Sequence, residues 1–210
     1  MQRRRTLPGT FFARGTLAVA RALIGVHLVH DDGRQRRAGR IVETEAYLGP
    51  RDLAAHSARG RTARTEVMFG PPGHAYVYFI YGFWNCLNVV TGRSGVPHAV
   101  LLRALEPLEN ADGRTSGPGL LCRALHIDRT QNGADLLGGQ LWLECAPRGA
   151  RAPRGARAPR IARATRVGVD YAGEWATRRW RFFDARSPYV STHKAARRAA
   201  LRASGGPVGK

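Results

Sequence analysis

Residues 39–47 read Gly39-Arg-Ile-Val-Glu-Thr-Glu-Ala-Tyr47 and predict a β-strand. Side chains alternate along a strand, so Ile41, Glu43, Glu45 and Tyr47 share one face, each about 6.5–7 Å from the next. A carboxylate beside an aromatic ring on an inward face is costly unless it has a partner or a use. The alternative is a face whose glutamates are simply solvated.

A second strand is predicted at 98–105, where the apolar run Ala99-Val-Leu-Leu-Arg-Ala-Leu105 is interrupted only by Arg103. A guanidinium in buried surroundings requires an acidic partner or a bound anion. Glu45 and Glu43 are candidate partners, so that two unusual charges would explain each other. A purely structural ion pair is the alternative.

The composition points to a polyanionic partner. The chain has 210 residues, enough for one domain with a single core, and 34 Lys and Arg against 15 Asp and Glu give a formal charge of +19. Such a field favours nucleic acid first and an anionic membrane second. The apolar stretch 17–29 is interrupted by Arg21 and His27 and is too short to span a bilayer, so we expect no membrane association.

The cysteines and histidines predict no metal and no other cofactor. Cys86, Cys122 and Cys145 form no C-x-x-C pair, and the seven histidines are scattered. An odd number of widely spaced cysteines argues against disulfides and against zinc or iron–sulfur sites. We therefore expect a cytoplasmic protein, nucleoid-associated if bacterial.

Segment 75–90 predicts a β-hairpin, because an aromatic and β-branched run is followed by Gly82 and by a second strand pattern. Three aromatic rings stand at the turn, where core packing is least available: Tyr81, Phe83 and Trp84. On a strongly basic protein, such a tip is typical of a wedge between DNA bases. Stacking contributes about 1–3 kcal/mol per base, enough to offset the cost of unstacking.

The remaining regular elements are fewer. Apolar spacing predicts a helix running into a strand over 11–29, and Leu141–Glu144 predicts another strand. A short helix is predicted at 117–125, capped by Ser116 and Pro118.

Residues 148–165 are of low complexity. Arg-Gly-Ala-Arg-Ala-Pro occurs at 148–153 and 154–159, with a degenerate third copy after it. Because this hexad has nothing to bury, we expect a disordered basic loop that tracks phosphates, with a neutral expansion as the alternative. Basic tails are expected at 1–10 and 195–210, which leaves 11–194 as the folded domain.

Five motifs resemble the signature of the alkyladenine (3-methyladenine) DNA glycosylases. In order, they are Gly39–Pro50 with Ala55-His-Ser57, Tyr76–Gly82, Leu101–Leu108, Gly117-Pro-Gly with Leu121-Cys, and Arg166-Val-Gly-Val with Ala172-Gly-Glu-Trp175. The matches cover nearly the whole chain. The resemblance implies a single mixed α+β domain, with a curved antiparallel β-sheet, flanking helices and a protruding, DNA-inserting β-hairpin.

The resemblance also implies roles for individual residues. Glu45 matches the general base that activates a water to attack C1′ of a flipped nucleotide, and Arg103 matches the arginine that helps hold that water and the carboxylate. Tyr47 and His56 match the pair that stacks on one face of the base, and Tyr78 matches the ring on its other face.

Two further positions concern specificity and DNA. Asn88 matches the residue that crowds the exocyclic amine of normal guanine, and Tyr81 matches the minor-groove wedge. The implied activity is that of a monofunctional DNA glycosylase of base excision repair. Its substrates would be alkylated or deaminated purines such as 3-methyladenine, 7-methylguanine, hypoxanthine and ethenoadenine, in double-stranded DNA bound by a monomer.

Three alternatives stay open on the sequence. Glu43 is a second candidate for the general base. A bifunctional glycosylase/lyase would need an amine nucleophile, and the candidates are Lys194 and Lys210, which lie near the C-terminal end, and the N-terminal amine. A non-catalytic nucleic-acid-binding protein would use the same charge and aromatic rings without releasing a base.

Overall fold

The computed structural model describes residues 5–146 and 158–191. Within these ranges the strands are β1 (His27–Asp31), β2 (Arg36–Leu48), β3 (Ala75–Ile80), β4 (Trp84–Thr91), β5 (His98–Glu109), β6 (Leu141–Glu144), β7 (Ile161–Ala164) and β8 (Arg181–Asp184). They form one curled antiparallel sheet in the order β3-β4-β5-β2-β1-β6, with β8 paired to β2 and β7 paired to β8. The predicted fold class, a mixed α+β domain around a curved antiparallel sheet, is confirmed.

Strand β2 lies at the centre of the sheet. β5 pairs along one of its edges, while β1 and β8 share the other edge. The strand predicted at 39–47 is thus confirmed and is extended by a few residues at its start. Because both edges are paired, the second half of β2 is buried almost throughout.

A bulge in β2 corrects the predicted faces. Ile41 pairs with Leu105 and Glu43 with Ala104, so Val42 is an extra residue between them. Strict alternation predicts Ile41 on the glutamate face, but the bulge places it in the main core together with Ala46. The glutamates face the other side of the sheet.

Three short α-helices cover the core side: α1 (Gly9–Phe12), α2 (Thr16–Ala22) and α3 (Pro118–Ala124). α2 packs on β2, where the Thr44 hydroxyl donates to the Ala20 carbonyl over 2.8 Å. Single turns of 3-10 helix occur at His56–Arg59, Glu66–Phe69 and Arg129–Gln131, and a longer kinked one at Asp170–Thr177. The core contains Phe12, Val19, Leu23, Leu28, Leu102 and Leu105, all fully buried.

The predicted helix boundaries need two corrections. The pattern over 11–29 predicts one helix running into a strand. The strand is confirmed as β1, but two short helices precede it instead of one, because Gly15 begins α2 separately. Ser116 does not cap α3. Gly117 is the N-terminal cap and has no side chain to contribute, while Ser116 pairs with Ala104 of β5.

The predicted tail and loop are partly ordered. Leu7 is buried, and its N–H donates to the carbonyl of Leu143 over 2.9 Å, so residues 5–7 lie along the edge of β6. Within the predicted loop 148–165, β7 forms where Ile161 replaces a glycine of the repeat and can pair with β8. The first two hexads, apart from residues 158 and 159, and the tail 195–210 lie outside the described residues. No described helix combines the length and the apolar composition needed to cross a membrane.

Candidate active site

A cavity of about 410 Å³ opens between the β3–β4 hairpin, the start of α3 and segment 167–171. Sites for small molecules typically have volumes of about 300–1,000 Å³. The aromatic part of the lining is Tyr47, His56, Tyr76, Tyr78, Tyr81, Trp84 and Tyr171. Six of the seven predicted site residues line this cavity, and the seventh, Glu45, lies directly behind its wall.

Glu45 is completely buried, and its three hydrogen-bond donors all line the cavity. The Tyr47 hydroxyl donates to Oε2 over 2.9 Å, and Nη1 of Arg103 donates to the same oxygen over 3.4 Å. The backbone N–H of Val167 donates to Oε1 over 2.8 Å. A carboxylate without solvent is stable here because one charged donor, a hydroxyl and a backbone N–H replace water. The solvated-glutamate alternative is wrong.

Arg103 lies at a bulge of β5, where Ala104 pairs with Glu43 and Leu102 pairs with Thr44. Bulges redirect side chains next to active sites. Its Nε is 3.6 Å from Oε1 of Glu43 and has no hydrogen-bond partner among the described residues. Burial lowers the pKa of Arg103, but Glu45 and Glu43 outweigh this effect and raise it above its usual value. The guanidinium is a permanent cation with a spare donor.

Glu43 has different surroundings from Glu45. Its Oε1 accepts from Nη1 of Arg181, and its Oε2 accepts from the N–H of Ser191, each over 2.8 Å. Glu43 and Arg181 are fully buried, and neither lines the cavity. The geometry therefore favours Glu45 over Glu43 as a base, and Glu43 as support for Arg103.

The aromatic wall contains one contact that the sequence does not predict. The rings of His56 and Tyr78 meet edge to face, with centroids 4.4 Å apart. Nδ1 of His56 is 3.0 Å from the hydroxyl of Tyr76. No purine fits between rings this close, so stacking of a base between His56 and Tyr78 requires the two rings to separate.

Ionisation keeps this wall uncharged at neutral pH. Burial, together with Arg64 and Arg59, lowers the pKa of His56 to about 4. Burial and the neighbouring Glu45 raise the pKa of Tyr47 well above its usual value, and burial beside Cys86 does the same for Tyr78. Tyr47 therefore remains a hydrogen-bond donor to Glu45.

Asn88 is buried in β4, opposite Tyr76 of β3. Its Nδ2 donates to the Tyr76 carbonyl over 3.1 Å, which fixes the orientation of the amide at the cavity wall.

The hairpin ends in a tight turn. Tyr81 has φ 55° and Gly82 has φ 73°, and the N–H of Phe83 donates to Ile80 over 3.4 Å. Positive φ is unfavourable for a residue with a side chain, yet here it leaves the Tyr81 ring 78% exposed at the cavity mouth. The Phe83 ring is also exposed, and its centroid lies 5.3 Å from that of the Trp84 ring.

Trp84 anchors this turn to α3. A Cβ on Gly119 would lie 2.6 Å from the Trp84 indole, so the ring packs directly on the glycine backbone. Arg123, also in α3, places its guanidinium 5.1 Å from the centroid of the Trp84 indole. The position of the hairpin therefore depends on the absence of a side chain at residue 119.

Sequence reasoning assigned no role to three residues of the site. Tyr76 shares its strand face with Tyr78, so alternation could have identified it. Val167 contributes a backbone N–H, which has no signal in the side-chain pattern. Tyr171, 73% exposed at the cavity mouth, follows a matched motif but lies outside it. No group of three potential ligand side chains in residues 5–146 and 158–191 is placed to hold a metal ion.

Comparisons with known proteins agree along the chain. A family model described as methylpurine-DNA glycosylase (MPG) matches residues 10–188. The chain is also similar to proteins named "Putative 3-methyladenine DNA glycosylase", of which three serve as examples. The protein of Anaeromyxobacter dehalogenans (strain 2CP-1) is 54% identical over 88% of this chain and 85% of its own length. The protein of Legionella pneumophila (strain Lens) is 50% identical over 89% of this chain and 98% of its own length. The protein of Methanocella arvoryzae is 49% identical over 88% of this chain and 95% of its own length.

These matches define the class of the protein: it is a DNA glycosylase, a hydrolase acting on N-glycosyl bonds. Within that class, the chain belongs to the methylpurine-DNA glycosylase family. The resemblance found in the sequence is confirmed, and the alternative of a non-catalytic nucleic-acid-binding protein is not supported.

Proposed function

We propose that this protein is a monofunctional glycosylase of base excision repair that flips a damaged purine into the cavity and hydrolyses its N-glycosidic bond with a water activated by Glu45. The observation that carries the proposal is the placement of this carboxylate. It is buried directly behind the cavity wall, and Tyr47, Arg103 and Val167 hold it there.

The chemistry needs one carboxylate. Glu45 accepts a proton from water, the water oxygen forms a bond to C1′, and the C1′–N bond breaks with its electron pair leaving on the purine. Most glycosidases also need an acid for the leaving group. A purine alkylated to a cation is already charged and leaves without protonation. The negative charge of Glu45 would further stabilise the oxocarbenium-like transition state.

The cavity suits an electron-poor purine. Aromatic faces attract cations, and the depressed pKa of His56 prevents a competing positive charge on that ring at neutral pH. The raised pKa values of Tyr47 and Tyr78 leave neither phenol as a ready acid. We therefore expect cationic lesions such as 3-methyladenine and 7-methylguanine to be released faster than uncharged hypoxanthine and ethenoadenine.

The hairpin would enter the DNA with arginines beside it. Tyr81 and Phe83 project from the tip, and three exposed arginines from separate segments each lie over a hairpin ring: Arg64 over Tyr78, Arg129 over Phe79 and Arg123 over Trp84. None of the three forms a salt bridge with a described residue, so their charge is available to phosphates.

A lyase activity is not expected. The two lysines of the chain, Lys194 and Lys210, lie near the C-terminal end of the sequence and outside the motifs that carry the site residues, and a Schiff base needs an amine nucleophile.

The test is purified protein on duplex oligonucleotides that each carry 3-methyladenine, 7-methylguanine, ethenoadenine or hypoxanthine, with the released base identified by mass. We expect free base and an abasic product, and no covalent adduct after borohydride. Absence of base release from all four substrates would refute the proposal, and a trapped adduct would refute the monofunctional assignment.

A further inference from the structure

Behind the cavity lies a further buried ion pair, between Asp52 and Arg166. The pair is bidentate, with Nη2 of Arg166 2.8 Å from Oδ1 of Asp52 and Nη1 bonded to Oδ2, and both side chains are fully buried. Neither residue lines the cavity. A reaction at the cavity therefore has no direct use for either charge.

The pair ties together the three segments that build the site. Arg166 also donates to the carbonyls of Ala46 in β2 and Trp175, each over 3.0 Å. Asp52 accepts from the N–H groups of Leu48 and Ala54, each over 3.1 Å. The pair thus fixes the end of β2, the loop leading to His56, and the segment after β7.

Two contacts connect this pair to the proposed base. The Arg166 guanidinium lies 4.7 Å from the centroid of Tyr47, whose hydroxyl binds Oε2 of Glu45. The next residue along the chain, Val167, supplies the N–H that binds Oε1. Both oxygens of Glu45 are therefore held by groups whose positions depend on Arg166.

Stability alone does not account for such a pair. Well-packed apolar residues in place of a buried ion pair often leave a protein equally stable or more stable. A fork of fixed geometry has another effect, because it sets the relative positions of the segments that it joins. Small displacements of a reacting group have large effects on rate.

We propose that Asp52 and Arg166 are positioning residues that hold Glu45 in its reactive orientation through Tyr47 and the Val167 N–H. The inference rests on the proposed function, since it concerns the same base. It predicts that loss of the fork slows the chemical step while leaving affinity for DNA nearly unchanged.

The first test compares Arg166→Lys with Arg37→Lys. Arg37 is also a buried arginine, paired with Asp32 over 2.9 Å, but it lies eight residues before Glu45, about 26 Å along β2. Both changes keep the positive charge and replace a buried guanidinium that bonds a carboxylate, so both should lower the melting temperature. Only Arg166→Lys should reduce the single-turnover excision rate, by roughly 100-fold.

Two further readouts separate positioning from general damage. Affinity for duplex containing a tetrahydrofuran abasic analogue should stay close to wild type in both variants. In Arg166→Lys the acid limb of the pH–rate profile should move to higher pH, because weaker hydrogen bonding to a carboxylate disfavours its charged form. Equal slowing in both lysine variants, or an unshifted profile, would overturn the proposal.

A double variant, Asp52→Leu with Arg166→Met, covers the case in which Arg166→Lys does not fold. Removing both charges leaves no unpaired ion in the interior. We expect a folded protein that binds the abasic analogue and excises slowly, and excision at the wild-type rate would overturn the proposal. If the wild-type protein itself releases no base, the proposed function fails instead.

Discussion

Two glutamates on the same strand face have different surroundings. Glu45 is bonded by three groups of the cavity wall, whereas both oxygens of Glu43 are bonded by Arg181 and Ser191, away from the cavity. Arg103 lies between the two carboxylates and approaches both. Burial does not distinguish the two glutamates, since both are fully buried. What distinguishes them is the set of hydrogen-bond donors around each carboxylate.

His56 makes stability depend on pH. Its pKa is about 4 in the folded protein and about 6.5 when unfolded, so the unfolded state binds the proton first as pH falls. Stability from this residue is fully present above pH 6.5 and decreases towards pH 4. Melting temperatures of wild type and His56→Gln between pH 7.5 and 4 should show a steeper decrease for wild type. Parallel curves would contradict a neutral, half-buried imidazole.

Asn88→Ala separates specificity from structure. The variant loses the hydrogen bond to the Tyr76 carbonyl, so we expect a stability loss of about 1 kcal/mol. If the amide also crowds the exocyclic amine of guanine, the variant should release more guanine from undamaged duplex. The measurement is free guanine after long incubation, and a stability loss without extra guanine would reduce Asn88 to a structural role.

Among the secondary-structure elements, β2 and the β3–β4 hairpin show which structural features the sequence can predict and which it cannot. The strand, the hairpin and the meeting of Glu45 with Arg103 follow from local alternation and from the cost of isolated charges. The bulge at Val42 and the Val167 N–H could not be predicted, because one depends on pairing with β5 and the other on a backbone group far along the chain. The sequence does not predict β7, because the composition of the repeat gives no sign that residues 161–164 pair with β8.

Gly119→Ala tests the anchoring of the hairpin. The new Cβ would meet the Trp84 indole at 2.6 Å and displace the turn that carries Tyr81. We expect excision from duplex to decrease by about tenfold, equivalent to ~1.4 kcal/mol, and excision from single strands to change less. Gly138→Ala is the matched control, since nothing lies within 4 Å of a Cβ there. Equal losses on both substrates would contradict this role of the hairpin.

At the scale of the whole molecule, charge dominates. The net charge of +19 indicates a nucleic-acid partner, and membership of a DNA glycosylase family agrees with this. Charge and composition alone do not distinguish a glycosylase from a packaging protein. That distinction came from ordered motifs over the whole chain, which place chemistry-bearing residues around one cavity. The monomeric state stays a prediction.

The repeat arginines provide a test at this scale. Replacing Arg148, Arg151, Arg154 and Arg157 by serine should make affinity for DNA less dependent on salt, because each lost phosphate contact reduces the slope of log K against log[salt] by about 0.9. Excision at low salt should be unchanged. The measurement is Kd for the abasic analogue between 50 and 300 mM NaCl, roughly the range over which counterion release is resolved. An unchanged slope would favour a neutral expansion.

The proposed reaction requires the carboxylate of Glu45 to activate the water. Glu45→Gln keeps the shape of the side chain and removes its basicity, so single-turnover excision of 3-methyladenine should fall by about 10²- to 10⁴-fold while the variant still binds damaged duplex. Glu43→Gln, measured in parallel, should retain most of the excision rate of the folded protein. Excision by Glu45→Gln at the wild-type rate would contradict the role of Glu45 as the base. A loss of excision rate that is larger in folded Glu43→Gln than in Glu45→Gln would contradict it as well.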